Sequence, residues 1–215
     1  MKKITTVFLM VVLLLNLCAC GQQTTEQRVK KIITSTVGDR VKFGTYYDEE
    51  IEWIVIRCIK NRAMLVTSDV VDMKLYHNTT ETVTWENCDL RKWLNDSFYN
   101  EAFSKEEQQF ITCKDVENPD SVRYETDGGN STSDYVTLLS INEATSYYID
   151  NSLDEIWWLR SPVSKMDYEW DGKTYTYYYG AVMDTKGKVQ EGIYAADINT
   201  QTRCGVRPVI WLELQ

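Results

Sequence analysis

The sequence predicts an α+β fold in which two or three helices lie between two blocks of antiparallel strands. From residue 38 onward, runs rich in β-branched and aromatic residues occupy both ends of the chain. Apolar residues at helical spacing occupy the middle. No repeat and no Pro/Gly-rich linker divides residues 38–215, so we expect them to form one domain.

The first strand block is predicted over residues 40–46, 51–59 and 63–71. Each run is rich in Val, Ile, Tyr or Trp, and the polar residues 48–50 and 60–62 supply the turns. Short polar turns between consecutive strands predict an antiparallel meander.

The helical block is predicted to begin at Asn87, a good N-cap residue. Residues 104–107 (SKEE) and 140–143 (SINE) are capping boxes, which predict helices that run to about residues 110 and 149. The first helix has an apolar face with helical spacing, made of Leu90, Trp93, Leu94 and Phe98.

The second strand block follows residues 156–162, IWWLRSP. Asp171-Gly172 is a hairpin signal, and residues 185–187 are predicted to join a strand over 180–183 with one over 188–193. Residues 205–214, GVRPVIWLEL, are predicted to close the chain as one final strand.

The N-terminus has the pattern of a lipoprotein signal. Residues 1–19 hold two lysines and an apolar run over about 7–15, and residues 17–20, LCAC, resemble a bacterial lipobox that ends at Cys20. The alternative is an uncleaved anchor helix, but this run is shorter than the roughly 20 apolar residues that a span needs. We therefore predict a lipidated Cys20, a polar tether over residues 20–37, and anchorage to the outer face of the cytoplasmic membrane by the two chains of a diacylglyceryl group.

Composition restricts the partners. The net charge of −9 argues against binding nucleic acid, and against a basic patch for anionic lipid, so the lipid anchor is the one membrane contact that we predict. Cysteines 58, 88, 113 and 204 lie in an exported chain, where disulfides are permitted, and the sequence leaves their three possible pairings open. Cys58 is equally well explained as a buried thiol.

Motifs for catalysis and cofactor binding are missing from the sequence. It has one histidine, His77, no zinc motif, no nucleophile elbow and no Gly-rich phosphate loop. Residues 127–134 offer oxygen ligands without EF-hand spacing, so a plain turn is favoured over a calcium site. We predict no catalytic residue, no metal and no cofactor.

Aromatic residues are concentrated in the segment YEWDGKTYTYYY, residues 168–179. In a strand, Tyr175, Tyr177 and Tyr179 share one face while Thr174, Thr176 and Tyr178 share the other. Such rings can stack on a sugar or pack in a protein interface, but they can equally pack onto their own sheet. The candidate ligand-binding residues are Tyr168, Trp170, Tyr175, Tyr177 and Tyr179.

Six blocks, at residues 38–46, 51–56, 84–111, 136–144, 157–162 and 205–212, together resemble a family of uncharacterised extracytoplasmic domains of Firmicutes-type bacteria. That family in turn resembles the C-type-lectin fold, in the branches of the formylglycine-generating enzymes and phage-tail ligand-binding domains. The residues that form the structural fingerprint of this resemblance are Trp85, Leu90, Trp93, Trp158, Arg160, Arg207 and Trp211.

The resemblance implies that Arg160 and Arg207 hold the fold together. A guanidinium can stack on the indoles of Trp157, Trp158 and Trp211 and donate to loop carbonyls. A buried charge also needs a partner, for which the sequence offers Asp134, Glu143 and Asp154.

The resemblance further implies a ligand surface on the long segment 163–204. The copper-binding thiol pair of the formylglycine-generating enzymes is not matched, because Cys204 has no cysteine neighbour in sequence. We therefore expect a lipid-anchored binding protein that recognises a glycan or an envelope protein. The alternatives are a hydrolase of envelope polymers with a carboxylate pair that the sequence does not locate, and a structural accessory subunit.

Overall fold

A computed structural model describes residues 23–79, 83–120, 125–147, 153–161, 164–190, 196–197 and 203–214. The predicted signal peptide and Cys20 lie outside these residues. The described part is a mixed α+β structure, as predicted, and its sheets are mostly antiparallel. None of the helices in that part is long and apolar enough to cross a membrane.

The first sheet has five strands in the order β1-β2-β3-β15-β7. Its first three strands form the predicted antiparallel meander. The closing strand of the chain pairs with β3 and β7, so the two ends of the domain meet in one sheet. The strands are β1 (Arg40–Tyr46), β2 (Glu49–Ile59), β3 (Arg62–Thr67), β7 (Val136–Thr137) and β15 (Val209–Glu213).

The inner strands of this sheet are buried on both faces, which explains why β3 and β15 are almost continuously apolar. Successive side chains of a strand point to opposite faces. Trp53 and Val55 accordingly lie in one apolar cluster with Leu94 and Phe98. Ile54 and Ile56 lie in a second cluster with Trp157 and Leu159. The sheet therefore divides the domain into two cores.

A second five-stranded sheet, in the order β12-β11-β8-β14-β4, contributes Trp157 and Met183 to the second core and Trp158 and Val182 to the first. Its central strand β8 pairs antiparallel with β11 and parallel with β14. In this sheet, Trp157 and Trp158 are flanked by strands from three distant parts of the chain. The strands are β4 (Asp72–Lys74), β8 (Trp157–Trp158), β11 (Val182–Met183), β12 (Val189–Gln190) and β14 (Cys204–Val206).

The helices between residues 89 and 108 cover the first core, whereas the helix over residues 141–146 contributes Ile141 and Ala144 to the second. The chain forms α2 (Asp89–Trp93), a π-helical turn (Leu94–Phe98), α3 (Tyr99–Ala102), α4 (Lys105–Gln108) and, later, α5 (Ile141–Ser146). Both predicted capping boxes are confirmed, at Ser104 and Ser140, although α4 and α5 end earlier than predicted. The predicted N-cap Asn87 is wrong by one residue, because the Sγ atom of Cys88 accepts the Arg91 N–H instead.

The prediction of a polar tether over residues 20–37 is wrong from Thr24 to Ile33. Residues 25–33 form α1 (Thr25–Ile33), whose Val29, Ile32 and Ile33 are buried in the first core. A capping box at Thr24 starts this helix. The few apolar residues of the helix are interspersed with polar ones, which is why the sequence did not indicate a buried face. The packed body therefore begins well before residue 38.

The single final strand predicted over residues 205–214 is also wrong. The chain forms β14 and β15 in two different sheets, with Arg207-Pro208 between them. Proline has no N–H to donate and restricts the residue before it, so it ends one ladder and allows the chain to cross to the next.

The two remaining sheets are small. β5 (Lys114–Val116) pairs with β6 (Thr132–Asp134). β9 (Ser164–Trp170), β10 (Lys173–Gly180) and β13 (Ala196–Asp197) form a three-stranded sheet in the order β13-β10-β9. The predicted hairpin at residues 185–187 is confirmed as the β11–β12 turn, and residues 191–195 lie outside the described part.

Candidate functional site

The aromatic segment forms an antiparallel hairpin of β9 and β10, as its Asp-Gly turn predicts. Asp171 and Gly172 both have positive φ, 51° and 67°, which is the backbone of a two-residue turn between twisted strands. At the base of the hairpin, Gly180 lies against Trp158, where an added Cβ would come within 2.6 Å of the indole. The base of the hairpin is therefore attached directly to the core.

Three aromatic side chains of this hairpin are exposed. Tyr168, Trp170 and Tyr175 keep 52%, 64% and 41% of their surface accessible. The register sets Tyr175 directly opposite Tyr168, so all three share one face of the hairpin. The rings of Tyr168 and Trp170 are nearly parallel, 16° apart, with centroids separated by 6.4 Å. We name these three residues the aromatic platform.

The other two predicted ligand-binding residues differ from the platform. Tyr179 is half-buried and pairs with Ser164 and Asp197 at the base of the hairpin. Tyr177 pairs with Met166 in the register, and its side chain lies outside the described residues.

Polar groups lie beside the platform. Lys173 is directly opposite Trp170 and is exposed. On the other face, the Thr174 hydroxyl donates to the Glu169 carboxylate at 2.5 Å, and this cross-strand contact holds the tip of the hairpin together. The platform thus combines apolar rings with hydrogen-bonding groups.

The fingerprint residues lie mostly inside the domain. Trp85, Leu90 and Trp158 are buried, and the two indoles donate their Nε1–H to Asp134 at 2.9 Å and to the Lys74 carbonyl at 2.8 Å. Trp93 and Trp211 are only partly buried. Each carries a cation over its ring, Lys74 over Trp93 at 4.6 Å and Arg62 over Trp211 at 5.5 Å.

Arg207 is completely buried. Its Nε and Nη2 donate to the Thr67 carbonyl at 3.1 and 2.8 Å, and its Cζ lies 4.7 Å from the centre of the Trp157 ring. Because Thr67 ends β3 and Trp157 lies in β8, this side chain joins the two large sheets at the point where the chain crosses between them.

Arg160 is 7% exposed and joins three segments. Its Nη1 donates to the Leu138 carbonyl at 2.9 Å and to the Glu143 carboxylate, and its Nη2 donates to the Glu117 carbonyl at 3.3 Å. Of the three carboxylates that the sequence offered as partners, Glu143 is the one that pairs with Arg160. The capping-box glutamate of α5 therefore also neutralises the buried guanidinium.

Asp134 serves a different arginine. Its side chain is fully buried and accepts from Arg91 Nε at 2.6 Å, from the Trp85 indole and from the Thr132 hydroxyl. Sequence reasoning missed Arg91 because it is one of many charged residues on a predicted helix. Its place beside the buried face of that helix was the signal that could have identified it.

A cleft of about 250 Å³ opens between the first sheet and the β5–β6 pair. We name it the Arg160 cleft. Its walls include six charged side chains and two aromatic ones: Lys114, Asp115, Glu117, Asp134, Glu143, Arg160, Tyr135 and Trp211. Arg160 thus lines the cleft, although most of its side chain is buried.

Among the described residues, the cysteines form no disulfide, and neither they nor the single histidine belong to a metal-binding group. The four cysteines in the described part are unpaired, and burial raises the pKa of Cys88 and of Cys204 to about 12. The Nδ1 atom of His77 lies 2.8 Å from the Asp89 carboxylate. Among the described residues, no three His, Cys, Asp or Glu side chains are grouped to hold a metal ion.

Comparison with known proteins identifies a family. No curated protein and no solved structure matches the chain significantly. The pattern of the family described as Domain of unknown function (DUF6273) matches residues 60–214, which is more than two thirds of the chain. The match begins at the β2–β3 turn, so β1 and β2 complete the first sheet from outside the matched residues. The chain belongs to the DUF6273 family.

Proposed function

We propose that this protein is a lipid-anchored binding protein of the cell surface that recognises a glycan through the aromatic platform. The observation that carries the proposal is the pair of nearly parallel rings, Tyr168 and Trp170, on an exposed hairpin. Large aromatic side chains are normally placed in contact with other atoms, because their burial contributes much of a protein's stability. Three exposed rings on one face therefore favour a ligand that covers them.

A glycan fits this surface better than a flat apolar partner does. One face of a pyranose ring carries C–H groups that pack on an indole or phenol ring, and its hydroxyls need hydrogen-bonding partners at the rim. Lys173, opposite Trp170, and Asp171 of the turn lie at the rim of the platform. An envelope protein is the other partner class, and the experiment below separates the two.

The domain itself we propose to be C-type-lectin-like. Two features support this. Strands from both ends of the domain meet in one sheet, and the long segment between β8 and β14 carries the exposed hairpin before it returns to the core at β11. In such an arrangement the core holds the fold, while the excursion is free to vary in sequence with the ligand.

The binding proposal is tested on the full chain purified in detergent, screened against an array of envelope-type glycans and against envelope protein extracts. We expect binding to at least one glycan class. The triple variant Tyr168→Ala, Trp170→Ala, Tyr175→Ala should lose it. The matched control is Tyr47→Ala, because Tyr47 is 73% exposed and lies on the β1–β2 turn of the first sheet, not on the hairpin.

Each result decides between the proposals. If the triple variant still binds the glycan, the aromatic platform is not the binding site. Capture of one stoichiometric envelope protein, lost in the triple variant and without glycan affinity, replaces the glycan with a protein partner. No binding of either class overturns the proposal.

Anchorage is proposed separately, at Cys20. Radiolabelled fatty acid fed to expressing bacteria should enter the protein, and Cys20→Ser should abolish this labelling and release the protein from the membrane fraction. Retention of the label in Cys20→Ser would contradict lipidation at this residue.

A further inference from the structure

We propose that α1 and the start of β1 form a face that binds the anionic headgroups of the membrane beside the lipid anchor. This contact rests on the proposed lipidation of Cys20, and it adds an electrostatic attraction to the insertion of the lipid chains. Three observations support it: the division of charge along the chain, the place where the basic residues meet in the fold, and their closeness to Cys20.

The charge of the chain is divided unevenly. Residues 23–42 hold five basic and two acidic residues, a net charge of +3. Since the whole chain has a net charge of −9 and residues 1–22 add Lys2 and Lys3, residues 43–215 have a net charge of −14. The overall charge, which argued against a basic patch, conceals this division. Such an asymmetry is typical of a basic segment that contacts an anionic partner.

The fold brings the basic residues of this segment together between α1 and β1. Two carboxylates, Asp39 and Glu50, lie in the same cleft, which has a volume of about 450 Å³. The fifth basic residue, Lys30, is exposed beside the cleft on α1. The other four line the cleft: Arg28, Lys31, Arg40 and Lys42. We name these five basic residues the basic face.

Most of the basic face is available to an anion. Lys30 and Lys31 are exposed, and neither forms an ion pair in the described structure. Arg40 and Lys42 pair with carboxylates of β2, but their side chains are 57% and 59% exposed. Exposed pairs of this kind contribute little, so a phosphate can compete for these two cations. Arg28 is already paired with a carboxylate of α4, and we assign it no lipid contact.

The basic face lies close to the proposed anchor. Gln23 is the first described residue, and it lines the cleft itself. Three residues span at most about 10 Å, so Gln23 lies within that distance of Cys20. A diacylglyceryl group would hold Cys20 at the membrane surface. The cleft therefore lies close enough to the headgroups for their charge to attract its cations, because the Debye length is about 8 Å at physiological ionic strength.

An anionic bilayer fits this distribution of charge better than a small soluble anion does. Each Lys or Arg that comes close to an anionic bilayer strengthens binding severalfold. The same bilayer repels the acidic remainder of the chain, residues 43–215. Attraction and repulsion thus favour one orientation, in which α1 faces the membrane. The basic face would then set how the domain stands on its anchor.

The test is lysine labelling of the full, lipidated chain in vesicles, with a water-soluble amine reagent and mass spectrometry. One set of vesicles is phosphatidylcholine, and the other is an equal mixture of phosphatidylcholine and phosphatidylglycerol. Lys30 and Lys31 should be labelled at least about threefold more slowly on the anionic vesicles. Lys186 and Lys188, two exposed lysines at the β11–β12 turn, are the internal control and should be labelled equally on both. In about 1 M salt, where the Debye length is about 3 Å, the difference should disappear.

Charge variants test whether the basic face acts as a unit. Lys42 should also be labelled more slowly on the anionic vesicles. Lys30→Gln combined with Lys31→Gln should raise its labelling there at least about threefold. The control pair Lys186→Gln with Lys188→Gln removes the same charge and should leave the labelling of Lys42 unchanged.

The outcomes separate this proposal from that of the anchor. Equal labelling of Lys30 and Lys31 on the two kinds of vesicle overturns the basic face, and so does equal protection of Lys186 and Lys188. Protection of Lys30 and Lys31 by glycerol phosphate in solution, without vesicles, would replace the membrane with a soluble phosphate and also overturn it. Failure of the protein to stay on phosphatidylcholine vesicles would instead contradict the lipidation of Cys20, and the anionic vesicles would still test the basic face.

Discussion

Trp158 and Trp170 are twelve residues apart and have opposite surroundings. Trp158 is completely buried, with strands on both sides of β8 and with its indole N–H bonded to the Lys74 carbonyl. Trp170 is 64% exposed at the tip of a two-stranded hairpin, where no third strand covers it in the described structure. The difference shows that aromatic residues of one short segment divide between holding the fold and presenting a surface.

The largest effect is expected from removing the buried indole. Trp158→Ala should lower the free energy of unfolding by about 3–5 kcal/mol, because the cavity removes contacts with Tyr76 and with Gly180 that the rigid core cannot recover. Urea unfolding followed by circular dichroism measures this. A loss below about 1 kcal/mol would show that Trp158 is not part of the rigid core.

The next largest loss of stability is expected at the ion pair between Arg91 and the buried Asp134. Arg91→Met should cost about 3 kcal/mol, since it leaves the fully buried Asp134 carboxylate without its cation. Lys92→Met, beside it on the same helix, removes an exposed partner of Asp89 and should change stability by less than about 0.5 kcal/mol. Equal losses in the two variants would contradict the asymmetry, as measured by urea unfolding.

A smaller loss of stability is expected where Arg28 of α1 pairs with Glu107 of α4. Burial alone would raise the pKa of the Glu107 carboxyl, but the Ser104 backbone N–H, the Ser104 hydroxyl and the Arg28 guanidinium outweigh it and hold that pKa below its ordinary value. Glu107→Gln should therefore cost about 1 kcal/mol at neutral pH, mainly through the Arg28 contact at 2.6 Å.

The sign of its pH dependence follows from that lowered pKa. A carboxyl whose pKa is lower in the folded state contributes stability above its unfolded pKa and loses it as the pH falls through the folded one. The stability difference between the native chain and Glu107→Gln should thus shrink below about pH 4. Urea midpoints measured between neutral and acidic pH would show it, and a difference that grows on acidification would reverse the assignment.

The smallest effect on stability is expected at the platform. Trp170→Ala should change the free energy of unfolding by less than about 0.5 kcal/mol, because its ring contacts mainly solvent and Tyr168. A loss above about 1.5 kcal/mol would mean that the ring is covered in solution, and the platform would then lose its status as a binding surface.

The local features that the sequence predicted well are those that depend on residues close together in the sequence. The capping boxes at Ser104 and Ser140 and the Asp171-Gly172 turn all formed as predicted, because each depends on backbone groups within three or four residues. The helix over residues 25–33 was missed because its short apolar stripe, alone, does not show what it packs against.

Long-range pairings could not be predicted in the same way. The sequence offered three carboxylates for a buried arginine, and only the folded chain brings Glu143 to Arg160 and Asp134 to Arg91. The Arg160 cleft could not be predicted either, because its walls come from six separate parts of the chain between residues 64 and 211.

By itself, the sequence determined the α+β class, the helix starts at Ser104 and Ser140, the hairpin and the aromatic density of residues 168–179. Tertiary structure alone decided which indoles are buried, which carboxylate neutralises which arginine, and that Arg207-Pro208 carries the chain from one sheet to the other. The physical reason is the sequence separation between the residues that interact. Turns and caps are fixed by hydrogen bonds between near neighbours, whereas burial and ion pairing depend on residues that meet only when distant strands pack together.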